Sequence, residues 1–168
     1  MAELASTVDV AQFRRALGLW ASGVTVITTR HNGLIYSMTA SSFSSLLVDP
    51  LEILVCVARS SRFHDAFMAS GAFAVNILRD DQRALAEAFA SRTRAPQALL
   101  DAVETFDGPS GSPVFSPCLA YLDCRTARVF DGGDHSIVIG SVLAAGADES
   151  ARPLLYFNRN YRGIHDLE

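Results

Sequence analysis

The sequence predicts a mainly β protein of the α+β class, folded as a closed or nearly closed antiparallel barrel with helices at its ends. Six or seven segments have the composition of strands, and most are joined by short turns, which favours hairpins. Three segments show the spacing of helices. The strand–helix–strand alternation of a parallel sheet is missing from the sequence, so an antiparallel arrangement is predicted.

A helix opens the predicted order of elements. Its apolar residues recur at helical spacing: Val10, Phe13, Leu17 and Trp20. Asp9 is placed to cap its start, and Gly23 is expected to end it. Residues 24–28 are all β-branched and predict a strand. Asn32-Gly33 then predicts a tight hairpin turn into a strand through residues 35–36.

The remaining elements follow from the same signals. Residues 51–58 are nearly all apolar, which predicts a strand buried on both faces. Ser60 or Ser61 is placed to cap a helix, and Asp80 and Asp81 to start another. Further strands are predicted at 41–48, 73–78, 119–130, 136–145 and 153–157, with a partly helical excursion at 97–103.

Composition excludes several classes of protein. Apolar residues make up 49% and charged residues 19% of 168 residues, which predicts one folded domain over 1–168 with 1–9 as a flexible N-terminus. A net charge of -4 does not offer the basic footprint that nucleic acid requires. All 14 basic residues are arginine, so a lysine Schiff base and a phosphate-loop lysine are excluded.

The sequence also carries predictions about cellular location and metal binding. Apolar runs stay below the ~18 residues of a membrane-spanning helix, which predicts no membrane partner. Three cysteines without a CxxC motif, together with the lack of a signal peptide, predict a cytoplasmic protein. Four histidines are scattered, so no metal site is expected: His31, His64, His135 and His165.

Three polar clusters are the candidates for function, since no GxSxG or GxGxxG motif is present. Residues 37–42 are rich in hydroxyls and fit either a binding turn or an ordinary edge strand. Residues 60–62, Ser-Ser-Arg, fit either a phosphate site at a helix start or a plain cap. His135 follows a Gly-Asp turn and is either functional or structural.

These pieces, taken in order, resemble the short-chain NAD(P)H:flavin oxidoreductases, the flavin reductase-like domain with an FMN-binding split barrel. The resemblance covers about residues 10–162. The matching segments are FRRALG at 13–18, ASGVTVITT at 21–29, MTASSF at 38–43, DP at 49–50, LVCV at 54–57, FAVN at 73–76, FAS at 89–91, GSP at 111–113, GDHSI at 133–137 and PLLY at 153–156.

The resemblance implies a homodimer of six-stranded antiparallel Greek-key split β-barrels with flanking helices, and flavin near the dimer interface. His135 is implied beside the nicotinamide as the catalytic residue. The residues implied to bind the cofactors are Ser37, Met38, Thr39, Ala40, Ser41, Ser42, Cys56, Val57, Ala58, Ser60, Ser61, Arg62, Phe89, Ala90, Ser91, His135, Arg159 and Tyr161. Three of them depart from the family pattern: Ser37 replaces Gly, Ser41 replaces Asn, and Arg159 replaces the Gly of Tyr-x-x-Gly.

The implied activity is hydride transfer from NADH, with NADPH as the alternative donor, to FAD or FMN, with FAD preferred. Reduced flavin would then reach a separate flavin-dependent monooxygenase. Such a reaction needs ring stacking and hydrogen-bond donors, and no protein nucleophile, which agrees with the missing motifs. Two alternatives stay open: a non-catalytic flavin-binding or sequestering protein, and a pyridoxamine phosphate oxidase-like oxidase.

Overall fold

The computed structural model describes residues 8–90, 100 and 102–164. Most of the predicted N-terminal segment 1–9, most of the predicted excursion 97–103, and the candidate residue Ser91 lie outside these residues. The helices are α1 Val10–Gly18, α2 Arg62–Ser70 and α3 Arg83–Phe89, with a 3-10 turn at Asp80–Gln82. The strands are β1 Ser22–Gly23, β2 Thr25–His31, β3 Leu34–Ala40, β4 Phe43–Val48, β5 Leu51–Ala58, β6 Ala72–Ile77, β7 Thr105–Asp107, β8 Pro113–Phe115, β9 Ala120–Gly132, β10 His135–Ala147, β11 Leu154–Phe157 and β12 Asn160–Gly163.

A seven-stranded antiparallel sheet dominates the molecule, in the order β3-β2-β6-β9-β10-β5-β4. Strands β1, β11 and β12 form a second sheet, and β7 pairs with β8. The mainly β, antiparallel class predicted from the sequence is therefore confirmed. Short strands β1, β7, β8 and β12 were not predicted, because two to four residues carry too little periodicity to register as a strand.

Helix α1 begins as predicted and ends earlier than predicted. The Asp9 carboxylate accepts from the backbone N–H of Gln12 at 2.7 Å, and the Gln12 side chain accepts from the Asp9 N–H, which completes a capping box. The helix ends at Gly18, and Gly23 lies in β1, so the predicted end was wrong. Among the described residues, none of this helix is buried.

Strand β5 has the predicted bounds but differs from the prediction in burial. Ile53, Val55 and Val57 are buried, whereas Leu54 and Cys56 on the opposite face are only half-buried. Glu52 is 4% exposed and forms an ion pair with Arg128 on β9. The expectation of two fully buried faces was wrong, because Ile53, Val55 and Val57 face the core and the opposite face is only partly covered.

Two apolar clusters make up the core. The first lies between the large sheet and α2 and includes Phe67 and Phe73, whose ring centroids are 5.0 Å apart. The second lies between the sheet, α3 and β11 and includes Phe89 and Phe115, with centroids 5.8 Å apart. Ala40 at the end of β3 belongs to the first cluster, whereas Tyr156 and Phe157 at the end of β11 are exposed, and the candidate site lies between these two strands.

Candidate functional site

A cavity of about 180 Å³ opens where β3, α3 and the β11–β12 hairpin meet. Seven residues line it: Val24, Thr39, Ala40, Ser41, Ala90, Tyr156 and Tyr161. Five of these were among the cofactor-binding residues implied by the resemblance. Val24 and Tyr156 were missed, although the register Tyr156↔Tyr161 makes the first tyrosine the cross-strand neighbour of the second.

The two tyrosines form one wall of this cavity. Their ring centroids are 5.2 Å apart in an edge-to-face arrangement, which fixes both ring planes. The Arg83 guanidinium lies 5.7 Å from the Tyr161 ring centroid. Burial, with smaller contributions from Tyr156 and Glu87, raises the pKa of Tyr161 and outweighs the opposing effect of Arg83, so the phenol stays protonated and can donate.

The opposite wall is fixed by hydrogen bonds from the hydroxyl-rich segment. Thr39 Oγ1 donates to the Ala86 carbonyl oxygen at 2.8 Å and joins β3 to α3. Ser42 Oγ donates to the Cys56 carbonyl oxygen at 2.8 Å, and the Cys56 N–H donates to the Ser42 carbonyl oxygen at 3.2 Å. The Ser42–Cys56 bonds join the segment that follows the cavity wall to β5.

His135 lies at the far end of β5. The register pairs it with Ala58, two residues beyond Cys56, and the Arg59 N–H donates to the Asp134 carbonyl oxygen at 2.9 Å. The His135 side chain is 43% exposed, and its Nδ1 lies 2.7 Å from Asp134 Oδ1. Hydrogen bonding to His135, more than its charge, lowers the pKa of Asp134, so this carboxylate orients the imidazole across the neutral range.

Helix α2 begins beside these residues with an incomplete cap. Ser61 stands at the N-cap but makes no side-chain capping bond. Its Oγ is buried and, within the described part of the chain, finds no hydrogen-bond partner. A buried hydroxyl and first-turn amides without a side-chain acceptor suit an anion such as phosphate. Arg62, the first residue of the helix, is exposed next to them.

Other implied residues lie elsewhere in the fold. Val57 and Phe89 have their side chains in the core, at 0% and 4% exposed, and Met38 packs against the first cluster. Ser37 is half-buried on β3, and Ser60 is exposed. Arg159 lines a second cavity, at the β11–β12 turn. The remaining residue, Ser91, cannot be placed because it lies outside the described residues.

The described residues contain neither a metal-binding cluster nor a membrane-spanning helix. Over 8–90, 100 and 102–164, no group of three or more His, Cys, Asp or Glu side chains is arranged to hold a metal ion. No helix in those ranges has the length and apolar character needed to cross a bilayer.

Comparison with known proteins gives a direct match to one family. The model of the flavin reductase like domain matches residues 17–165. This chain belongs to the flavin reductase-like family. The resemblance in the ordered segments is therefore confirmed, and the cavity lies on segments that carried it.

Relatives of this flavin reductase-like chain include three named reductases. The reductase subunit HsaB of a flavin-dependent monooxygenase from Rhodococcus jostii is 36% identical over 160 residues, 95% of this chain and 80% of HsaB. The NADH-dependent FMN reductase RutF of Pantoea ananatis is 32% identical over 164 residues, 98% of this chain and 86% of RutF. The structure of the NADH:FAD oxidoreductase SgcE6 of Streptomyces globisporus, in complex with NAD and FAD fragments, superposes with a TM-score of 0.87 at 32% identity, covering 99% of this chain and 100% of that chain.

Proposed function

We propose that this protein is an NADH-dependent flavin reductase that supplies reduced FAD or FMN to a separate monooxygenase. The observation that carries the proposal is the cavity between Thr39–Ser41 and the tyrosine pair, built on segments of a family whose members are NADH:flavin oxidoreductases. NADPH is the alternative hydride donor. Flavin, when bound, supplies the ring that accepts the hydride.

The protein's own residues hold and orient the two reactants. We assign the Ser41 hydroxyl to the flavin ring as a donor. The Thr39 and Ser42 hydroxyls already donate to the Ala86 and Cys56 carbonyl oxygens and offer the ring only acceptor lone pairs, with Cys56 and Ala58 beside them. The orphaned Ser61 hydroxyl and the start of α2 suit the flavin phosphate, so the donor set fits the cofactor. We assign His135 the position beside the nicotinamide.

The finer architecture belongs to the same proposal. The outer strands β3 and β4 of the large sheet follow one another in the chain, and the Ser42–Cys56 bonds join them to β5. This connection supports closure of the sheet, and six strands result when β3 and β4 are counted as one bent strand of the proposed Greek-key split barrel. One domain over residues 1–168 remains part of this proposal.

A homodimer accounts for the exposed apolar face of α1. Val10, Phe13 and Leu17 are 56–65% exposed, and Trp20 after the helix is 75% exposed. A stripe of this kind on one helix is typical of a surface covered by another chain. We propose that a second copy covers it. The cytoplasmic location, predicted from three cysteines that are unpaired in the structure, is also retained as a proposal.

The two alternatives differ from a reductase in measurable ways. A sequestering protein would bind flavin without oxidising NADH, and a pyridoxamine phosphate oxidase-like enzyme would need a basic phosphate clamp for its substrate. The named relatives, HsaB, RutF and SgcE6, are reductases, which favours neither alternative.

Anaerobic mixing of the purified protein with NADH and FAD, FMN or riboflavin in turn tests the proposal. We expect NADH oxidation and bleaching of the oxidised flavin band, measured by stopped-flow absorbance. Binding of flavin without any bleaching would support the sequestering alternative and reject the reductase. Repeating the series with NADPH determines which donor is used.

A further inference from the structure

A second cavity, of about 320 Å³, lies between the end of α1 and the β11–β12 turn. Its lining residues are Arg14, Arg15, Gly18, Leu19, Asn158 and Arg159. The Asn158 N–H donates to the Gly18 carbonyl oxygen at 2.6 Å and holds the turn against the helix end. Three guanidinium groups therefore border one opening.

These arginines have no counter-charge in the part of the chain that the structure describes. None of Arg14, Arg15 and Arg159 forms an ion pair there, whereas Arg30, Arg59, Arg79, Arg83 and Arg128 all do. The C-terminal end of a helix supplies about half a negative charge, too little to balance three positive ones. An unbalanced cluster around a cavity favours an anion with more than one charge.

The turn that presents Arg159 has an unfavourable backbone for arginine. Asn158 and Arg159 have φ values of 47° and 61° and connect the paired residues Phe157 and Asn160, as in a type I′ turn. The β2–β3 hairpin has the same two-residue turn, with φ values of 51° and 75° at Asn32 and Gly33. Glycine occupies the second position there, because a Cβ in the left-handed region is strained. Arginine at the equivalent position carries this strain at the rim of a cavity, and a strained residue in such a place points to a function.

The two cavities are neighbours along one hairpin. Tyr156 lines the first cavity and Asn158 lines the second. The two residues are two positions apart on a β-hairpin, or about 7 Å at the rise of a strand.

A nicotinamide dinucleotide carries its diphosphate one ribose away from its nicotinamide ring. We infer that Arg14, Arg15 and Arg159 bind the diphosphate of the nicotinamide dinucleotide whose ring enters the first cavity. This inference rests on the proposed function and adds the α1 arginines to its substrate site.

Isothermal titration with ADP-ribose, which has the diphosphate but no nicotinamide, tests the inference without relying on turnover. We expect Arg159→Gly to weaken ADP-ribose binding about tenfold, the effect of losing one charge-assisted contact. The same variant should raise Tm by about 3 °C, because glycine relieves the left-handed backbone. Loss of affinity together with a gain in stability is a combination that misfolding does not produce.

Two further variants complete the test. Arg14→Gln with Arg15→Gln should weaken ADP-ribose binding at least as much as Arg159→Gly. Arg125→Gln removes one exposed positive charge from β9, outside the cavity, and should leave ADP-ribose binding within twofold of wild type. Equal losses in Arg125→Gln and Arg159→Gly would reduce the effect to net charge and overturn the site.

FAD also contains a diphosphate, which links its flavin half to its adenosine, whereas FMN has a single phosphate, so FAD and FMN are titrated against the same variants. Weaker ADP-ribose binding with unchanged FAD binding supports the dinucleotide assignment. A loss confined to FAD, with ADP-ribose binding as in wild type, overturns it. If the wild-type protein binds ADP-ribose through these arginines but never oxidises NADH, the proposed function fails and the anion site stands. If the wild-type protein oxidises NADH but the arginine variants bind ADP-ribose as tightly as wild type, the anion site fails and the proposed function stands.

Discussion

The Thr39 hydroxyl donates a hydrogen bond of 2.8 Å to the carbonyl oxygen of Ala86, and so couples the strand that borders the cavity to the helix behind it. Ala90, which follows α3, lines the same cavity, so this bond sets the distance between two of its walls. A change at Thr39 should therefore affect both the fold and the site.

Thr39→Val keeps the shape of the side chain and removes the donor. We expect a loss of about 1 kcal/mol in the free energy of unfolding, the net value of one hydrogen bond, and weaker flavin binding. Urea denaturation and flavin titration measure the two effects. Thr39→Ser retains the hydroxyl and serves as the matched control; a Thr39→Val protein as stable as wild type would contradict the role assigned to this bond.

His135→Ala should raise KM for NADH and slow flavin bleaching while flavin binding stays near wild type. The reason is that we assign His135 to the nicotinamide, whereas Ser61 and Arg62 at the neighbouring start of α2 are assigned to the flavin phosphate. Steady-state and stopped-flow measurements separate the two parameters. Equal losses of flavin and NADH affinity would instead assign the imidazole to the flavin site.

The bond between Asp134 and His135 predicts a pH dependence. The pKa of Asp134 is lowered in the folded protein, so its contribution is present above the pKa of the unfolded carboxyl and is lost as the pH falls through the folded value, below about pH 4. Asp134→Asn should differ from wild type in Tm and NADH affinity at neutral pH. The two proteins should converge in Tm as the pH falls below about 4. A difference that persists undiminished at low pH would show that the carboxylate charge is not its source.

Thiol labelling tests the position of Cys56. Burial raises the pKa of Cys124 to about 12 and also raises that of Cys118, so both should resist iodoacetamide near pH 8 in the folded protein. Half-buried Cys56 should react first, and FAD should slow its labelling, as followed by mass spectrometry. Protection of Cys118 by FAD, with Cys56 unaffected, would move the flavin away from β5.

Gly140→Ala probes the core between β10 and β6. A Cβ at Gly140 would lie 2.5 Å from Cζ of Phe73 and 3.2 Å from Cβ of Cys124, so the Phe73 ring must shift. Such overpacking costs about 1–3 kcal/mol, which calorimetry should detect as a lower Tm. Gly23→Ala is the control, because its Cβ would meet no atom within 4 Å; an equal loss there would rule out the steric explanation.

Phe13→Glu tests the proposed homodimer. The variant places a charge in the exposed apolar face of α1 and should shift the protein from dimer to monomer in light scattering. Ala11→Glu adds the same charge on the other side of that helix and should leave the dimer intact. A wild-type protein that is monomeric at all concentrations would reject the dimer.

The sequence predicted the long elements and their order because their periodicity is strong. The bounds of β5 and the Asn32-Gly33 turn agree with the prediction, and the Asp9 cap is formed as expected. The end of α1 was misplaced: the helix ends at Gly18, where the Asn158 N–H donates to the Gly18 carbonyl oxygen, a contact between distant residues that no local pattern reveals. Burial of β5 was overestimated because an apolar run does not reveal whether another element covers the second face of the strand.

The candidate site was only partly predictable for a related reason. Thr39, Ser41 and Tyr161 stand in motifs that the sequence displays. Tyr156 and Val24 line the cavity through pairing of β11 with β12 and β1, which no local pattern reveals. In the sequence, Arg14 and Arg15 look like the polar side of an ordinary helix. Only the structure shows that the turn with Arg159 lies beside them.

Strand β1 pairs with β11, so the register Ser22↔Tyr156 brings together stretches separated by most of the polypeptide. During synthesis, Thr39–Ser41 leave the ribosome long before Tyr156 and Tyr161. The cavity is consequently among the last parts of the molecule to be completed, and a nascent chain stalled before residue 154 lacks one of its walls. Flavin capture by this protein must therefore follow synthesis of nearly the whole polypeptide and cannot guide the early stages of its folding.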